Sequence, residues 1–232
     1  VILNSEICTM KKILPFLLPI LLIAGLAWLY SESGSPKKIF KKLPILGNHK
    51  LDTTTVDGKI KIDTLYHSIP SFSLINQNGE TITESIVKGK VYVVDYFFTT
   101  CQSICPIMSK QLDRVYKEQK NVLILSHTVD PETETPAFLN EYASKFKADP
   151  KRWIFLTGSK PNLYNLARTG YLLDAQEGNG GAEDFIHTQN FALIDQKGRI
   201  RGYYDGTDSS SVNELITDID FLELRACDES CA

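Results

Sequence analysis

The sequence predicts an α/β sandwich of the thioredoxin type, preceded by one membrane-directed segment. Three observations carry this reading. Short β-rich apolar runs alternate with amphipathic stretches through the middle of the chain. A hairpin and a final helix close it. Near the N-terminus, 18 residues pass without a charge. A chain of 232 residues has room for one domain of about 150–170 residues plus appendages. Its 43% hydrophobic and 23% charged content is ordinary for a globular protein, and a net charge of −3 gives no reason to expect nucleic acid.

Residues 1–12 read as a tail, with Met10 a candidate true start. The uncharged run Ile13 to Tyr30 would cover about 27 Å as a helix. It suits either an uncleaved transmembrane anchor or a signal peptide with Gly25-Leu26-Ala27 as its small-x-small cleavage site. The anchor is the better reading, because the apolar run continues through Trp28, Leu29 and Tyr30 to aromatics that suit an interface. Lys37, Lys38, Lys41 and Lys42 follow, marking a solvated linker near a membrane surface; they outnumber Lys11 and Lys12, so a positive-inside count does not place the domain outside.

Residues 31–68 read as a linker and an extra hairpin, with turns at Gly47-Asn48 and Asp57-Gly58. The core domain is expected over 69–224. It opens with a strand at Ile69 to Leu74, then a buried strand at Val91 to Phe98 and a helix from about Pro106 to Lys120. A second buried strand covers Val122 to Ser126. A helix from Thr135-Pro136 through Phe146 should place Phe138, Leu139, Tyr142 and Phe146 on one stripe. Next come a strand at Trp153 to Leu156, a short helix over Asn162 to Thr169, a hairpin from Phe191–Asp195 and Ile200–Tyr204, and a last helix over Ser211 to Leu224. Residues 225–232 form a tail carrying Cys227 and Cys231.

The chemistry centres on Cys101 and Cys105, which follow a strand and meet a helix N-terminus at Pro106. Unsatisfied N–H groups and the positive dipole end there favour thiolate, the form that attacks disulfides and binds soft metals. Three residues intervene, Gln102, Ser103 and Ile104. That loop can close a disulfide, and it also lets both sulfurs converge on one metal at about 2.3 Å each. A structural disulfide or two small core residues is the bland alternative, and the placement beside a helix start argues against it.

Of four histidines, His49 and His67 fall in the extension and read as surface residues; His127 ends the second strand, where α/β sites gather but where a lone imidazole is often simply hydrogen-bonded. His187 precedes the hairpin strand, where thioredoxin folds carry a proline facing the dithiol and this chain carries none. Two thiolates and one imidazole make a three-coordinate Cu(I) site, and the imidazole can also hold Cu(II). Asp95, six residues before Cys101 in an apolar strand, is either a proton relay beneath the dithiol or a hydrogen-bonded structural acid. Cys227 and Cys231 repeat the C-x3-C spacing as a tail disulfide or an added metal site, the disulfide being the simpler reading.

The stretch Asp95-Tyr96-Phe97-Phe98-Thr99-Thr100-Cys101-Gln102-Ser103-Ile104-Cys105-Pro106, the loop Val129 to Pro136 and the distal His187 together resemble the Sco/SenC family of membrane-anchored copper chaperones, over about Ile69 to Leu222. The resemblance implies a thioredoxin-like fold with an inserted hairpin, on the outer, periplasmic side of a bacterial inner membrane or in the mitochondrial intermembrane space. It implies Cys101, Cys105 and His187 as copper ligands and delivery of copper to the dinuclear site of cytochrome c oxidase subunit II. Another copper chaperone or a thiol reductase would supply the metal or the electrons. The chain departs from the family pattern at Ile186, where Asp is common, and at Thr133 or Glu134, where Arg is common. The competing function is a thiol–disulfide oxidoreductase acting on partner cysteines, with Cys101 and Cys105 as its redox pair; His187 separates the two. A peroxidase of the peroxiredoxin type would need Thr where Phe98 stands.

Overall fold

A computed structural model describes residues 42–56, 59–173, 186 and 188–230, with the isolated positions 23 and 25. Residues 1–41 and 42–232 are separate units, and the architecture below belongs to the second. The expected span 13–30 lies outside the described residues apart from Ile23 and Gly25, as do His187, Cys231 and the side chain of Cys227. Among the described residues no helix is long and apolar enough to cross a membrane.

Nine strands are described: β1 His49–Val56, β2 Lys59–Tyr66, β3 Ser73–Asn76, β4 Thr81–Thr83, β5 Tyr92–Phe97, β6 Leu123–Thr128, β7 Trp153–Thr157, β8 Asn190–Ile194 and β9 Ile200–Asp205. The helices are α1 Ile104–Glu118, α2 Pro136–Ser144, α3 Lys160–Asn165 and α4 Ser209–Ser230. A π-helical turn at Leu166–Gly170 continues α3. Strands β1 and β2 pair only with each other, which is the expected extra hairpin; the rest form one sheet in the order β4-β3-β7-β6-β5-β8-β9. The parallel pairs β5–β6 and β6–β7 are bridged by α1 and α2, as parallel strands require.

Strand β5 is central and all six of its residues are buried. A strand covered on both faces needs apolar side chains in both phases. Val93 and Phe97 face a core built with Met108, Leu112 and Val115 of α1, Leu139 of α2 and Leu215 of α4. Tyr92, Val94 and Tyr96 face the other core, with Leu163, Tyr164 and Tyr171. Full burial of an aliphatic side chain contributes about 1.5–3 kcal/mol, so a handful of these positions outweighs every surface ion pair.

Several boundaries move from expectation, each for a physical reason. Helix α1 starts at Ile104, because proline is tolerated anywhere in a first turn that lacks intrahelical N–H bonds. Cys105 therefore sits inside that turn. Strand β6 runs on past Ser126 through His127 and Thr128, polar residues that find buried partners. Phe138 leaves the predicted stripe and is exposed, since the buried face of α2 is Leu139, Tyr142 and Ala143. Helix α4 continues past residue 224 to Ser230.

The sheet has two functional ends. Cys101 follows the C-terminal end of β5. At the other end Tyr92 pairs with Ile194, so the β8–β9 turn lies there. The segments on either side of the β1–β2 hairpin fasten to that same end. Leu46 N–H donates to Ile200 O at 2.9 Å, and Ile69 N–H to Gly198 O at 2.8 Å. Arg201, buried, donates from Nη2 to Leu43 O at 2.6 Å and from Nε to Pro44 O at 2.8 Å, while Nη1 pairs with Asp195 Oδ2 at 2.9 Å. Burial would raise the Asp195 carboxyl, but hydrogen bonds and charge from Arg199 and Arg201 outweigh it and hold the group below the ordinary carboxylate range.

Candidate metal and redox centre

Strand β5 ends at Phe97, and three further residues lead to Cys101, whose N–H donates to Phe98 O at 3.3 Å. The chain then enters α1. This turn leaves Cys101 half-exposed and Cys105 buried, both as free thiols. Burial disfavours the Cys101 thiolate, but the Cys105 backbone N–H, the Ser103 hydroxyl and the Cys105 thiol all point at its sulfur and bring its pKa down to about 7. Ser103 Oγ lies 3.5 Å from Cys101 Sγ. Cys105 goes the other way: burial pushes it up to about 12, with the Cys101 sulfur and the Asp95 carboxylate adding to the rise. The helix start thus makes one thiolate near neutral pH and keeps its neighbour a thiol that donates to it.

Asp95 lies on the same sheet face, paired in register with Ser126 of β6. Trp153 Nε1–H donates to Ser126 Oγ at 2.9 Å, and the Ser126 hydroxyl donates to Asp95 Oδ1 at 2.5 Å. Burial raises Asp95 to about 7, and that hydroxyl with one backbone N–H does not offset it. A carboxyl that can be neutral or charged near pH 7, close enough to Cys105 to shift it, fits a proton acceptor for that thiol.

The histidines separate clearly. His127 is completely buried on the opposite face, stacked on Tyr96 with ring centroids 4.9 Å apart and edge-on to Tyr171 at 5.3 Å. Burial lowers its pKa to about 4. It is a core residue and does not face the dithiol. His49 is exposed as expected, but His67 is half-buried and its Nε2–H donates to Gly170 O at 2.7 Å, fastening the hairpin base. The neighbours of position 187 are placed: Ile186 is buried in the Tyr96–Tyr171 core, and Thr188 Oγ1 accepts from Asn190 N–H at 3.1 Å. Because Ala192 pairs with Val94, β8 begins at the sheet end from which Cys101 departs. No three His, Cys, Asp or Glu side chains gather as a metal site among the described residues.

Sequence reasoning gave Glu134 no role at the site. Its buried carboxylate accepts from Thr99 N–H, two residues before Cys101, and from Thr128 Oγ1 at 2.5 Å at the end of β6. The Asp130–Pro136 loop is thereby clamped to the turn that carries the cysteine. Only its position in the loop that resembles the family pattern could have drawn attention to it.

The family model of SCO1/SenC matches residues 62–221. The chain belongs to the SCO1/SenC family. A SCO1/SenC family lipoprotein from Bacillus anthracis str. Ames is 32% identical, with TM-score 0.59 over 68% of this chain and 95% of that one. BsSco, described with a disulfide switch and as a member of the Sco family of cytochrome c oxidase assembly proteins, is 28% identical with TM-score 0.58 over 67% and 93%. Bradyrhizobium japonicum ScoI with copper bound is 26% identical with TM-score 0.52 over 67% and 99%. The SCO1/SenC members share this sheet-dominated, thioredoxin-like α/β fold.

Proposed function

We propose that this SCO1/SenC chain is a copper metallochaperone, held to a membrane through residues 13–30 with its folded domain on the periplasmic side. Its cargo is bound by the thiolates of Cys101 and Cys105 and the imidazole of His187, and delivered to the dinuclear copper site of cytochrome c oxidase subunit II. The observation that carries the reading is the thiol pair at the start of α1, one sulfur poised as thiolate and the other a thiol beside Asp95. Copper held by the family member ScoI and oxidase assembly attributed to BsSco's family support the cargo and the destination. Cu(I) taken from a donor chaperone replaces the Cys105 proton, which Asp95 accepts. Three ligands leave an open approach, so a partner thiolate enters before a Cys sulfur departs.

Asp95 also favours a second reading, a thiol–disulfide oxidoreductase. The Cys101 thiolate attacks a partner disulfide, forming a mixed disulfide and releasing one partner thiolate. Cys105, deprotonated by Asp95, then attacks the Cys101 sulfur and frees the second partner thiolate; this chain is oxidised and the partner reduced. Anaerobic Cu(I) titration against a competing chelator, on wild type and His187→Ala, separates the two. One tight copper per chain that is lost in the variant supports the chaperone. Weak binding in wild type, or equal binding in both, removes His187 as ligand, and weak binding with rapid disulfide exchange favours the oxidoreductase.

A further inference from the structure

The β1–β2 hairpin has two unlike faces. Cross-strand partners share a face, and the register pairs His49 with Tyr66, Leu51 with Thr64, Thr53 with Ile62 and Thr55 with Ile60. Those eight residues carry no acid, lysine or arginine. Leu51, Ile60 and Ile62 on this face are 68%, 72% and 61% exposed, and Tyr66 is 41% exposed. The other face carries Lys50, Asp52, Lys61 and Asp63, with Lys61 and Asp63 in an ion pair at 2.9 Å, and, among the described side chains, a single exposed aliphatic one, Leu65, opposite Lys50. No other described strand or helix covers the apolar face. Three exposed aliphatic side chains and a tyrosine gathered on the uncharged face of a two-stranded ribbon call for a partner.

The position of the hairpin indicates which partner. Its base is held by His67 and by the Leu46 and Ile69 bonds at the sheet end opposite Cys101. Arg201 fixes Leu43 and Pro44 at that end as well. Residues 31–42 are the only chain between this fastening and the uncharged run 13–30, and 12 residues reach at most about 40 Å. Lys37, Lys38, Lys41 and the exposed Lys42 lie in that short connection, a cluster that anionic headgroups attract.

We propose that the uncharged hairpin face lies in the headgroup boundary of an anionic bilayer, with Leu51, Ile60, Ile62 and Tyr66 entering it. This rests on the reading of residues 13–30 as a membrane anchor. The hairpin is then a foot that holds the folded domain upright, with the dithiol end of the sheet turned away from the lipid. Threonines interleaved on the same face supply hydroxyls to the headgroups, and insertion of about 5–10 Å suffices for such an amphipathic element.

The test uses the full chain carrying Trp28→Phe, reconstituted into phosphatidylcholine–phosphatidylglycerol vesicles whose acyl chains are brominated near the headgroup. Ile62→Trp places a reporter on the apolar face and Asp63→Trp one on the opposite face; Leu51→Trp serves where Ile62→Trp disturbs the hairpin. The expected result is blue-shifted, bromine-quenched emission at positions 62 and 51, with unquenched, water-like emission at 63, after subtracting the Trp153 background. Chains that float with the vesicles yet show no quenching at 62 or 51 overturn the foot and leave the anchor intact. Equal quenching at 62 and 63 overturns it too, since no face is then selected. Emission at 62 that shifts with protein concentration in detergent, without bromine quenching in vesicles, assigns the face to a second copy of the chain. A chain that fails to float overturns the anchor and the foot together.

Discussion

Replacing Asp95 by asparagine should stabilise the protein at alkaline pH and leave it nearly unchanged in acid. The folded-state carboxyl titrates at about 7 against an ordinary value of 3.8, because burial outweighs the Ser126 hydroxyl and the one backbone N–H that favour its charge. A group whose pKa rises on folding favours the folded state while protonated. Its contribution is complete below about pH 4 and lost as the pH climbs to 7. The difference of about 3 pKa units corresponds to about 4 kcal/mol, accumulating at about 1.4 kcal/mol per pH unit. Asparagine keeps the shape and an acceptor for Ser126 but never ionises. The variant should therefore gain on wild type by at most about 3 kcal/mol between pH 5 and pH 8, less where local relaxation softens the desolvation. Urea unfolding of both proteins at pH 5, 6.5 and 8, followed by tryptophan fluorescence, reads that gap directly. A gap independent of pH, or one that closes as pH rises, refutes the reasoning and means that Asp95 is charged and well partnered throughout.

Three further outcomes are expected. Alkylation of the reduced protein by iodoacetamide should be fast at Cys101 with a midpoint near pH 7, while Cys105 stays unmodified through neutral pH; peptide mass mapping distinguishes them, and equal rates would contradict the asymmetry. Glu134→Ala leaves the Thr99 N–H and the Thr128 hydroxyl without an acceptor, so it should lower stability by about 2–4 kcal/mol in thermal or urea melts, and a loss under about 0.5 would remove the clamp from the account. Arg201→Met strands the Leu43 and Pro44 carbonyls and takes one of two arginines from the Asp195 carboxylate, which keeps Arg199, for a loss of about 2–4 kcal/mol measured by urea midpoint, whereas Leu43→Ala should cost less, because it keeps every polar contact.

Patterns that arise within one element were legible. The run around Val91–Phe98, the Cys101–Cys105 spacing, the Asp95 offset and the paired strands of the extension all follow from local periodicity and turn residues. Contacts between elements were not. Ser126, His127 and Thr128 look like the end of a strand because they are polar, yet each is buried by partners from elsewhere: Asp95 and Trp153, Tyr96 and Tyr171, and Glu134. Phe138 looked like a core residue because it is aromatic, but the next position, Leu139, takes the inward angle together with Tyr142 and Ala143. The clamp made by Glu134 was not legible because Thr99, one of its donors, is 35 residues away in sequence.

Arg201 has a mechanical consequence. It grips Leu43 and Pro44 across sequence separations of 158 and 157 residues, so that grip cannot form until the second strand of the last hairpin is in place. During synthesis the leading segment must wait for nearly the whole domain, and the contact adds to the long-range share of the topology that slows folding. In the finished protein the same grip sets where tension goes. A pull applied along the chain from residue 42 is carried by the Leu43 and Pro44 carbonyls and the Leu46 amide into β9, at the far edge of the sheet. The first turn of α1, with its two sulfurs, lies outside that load path and keeps its geometry under the pull.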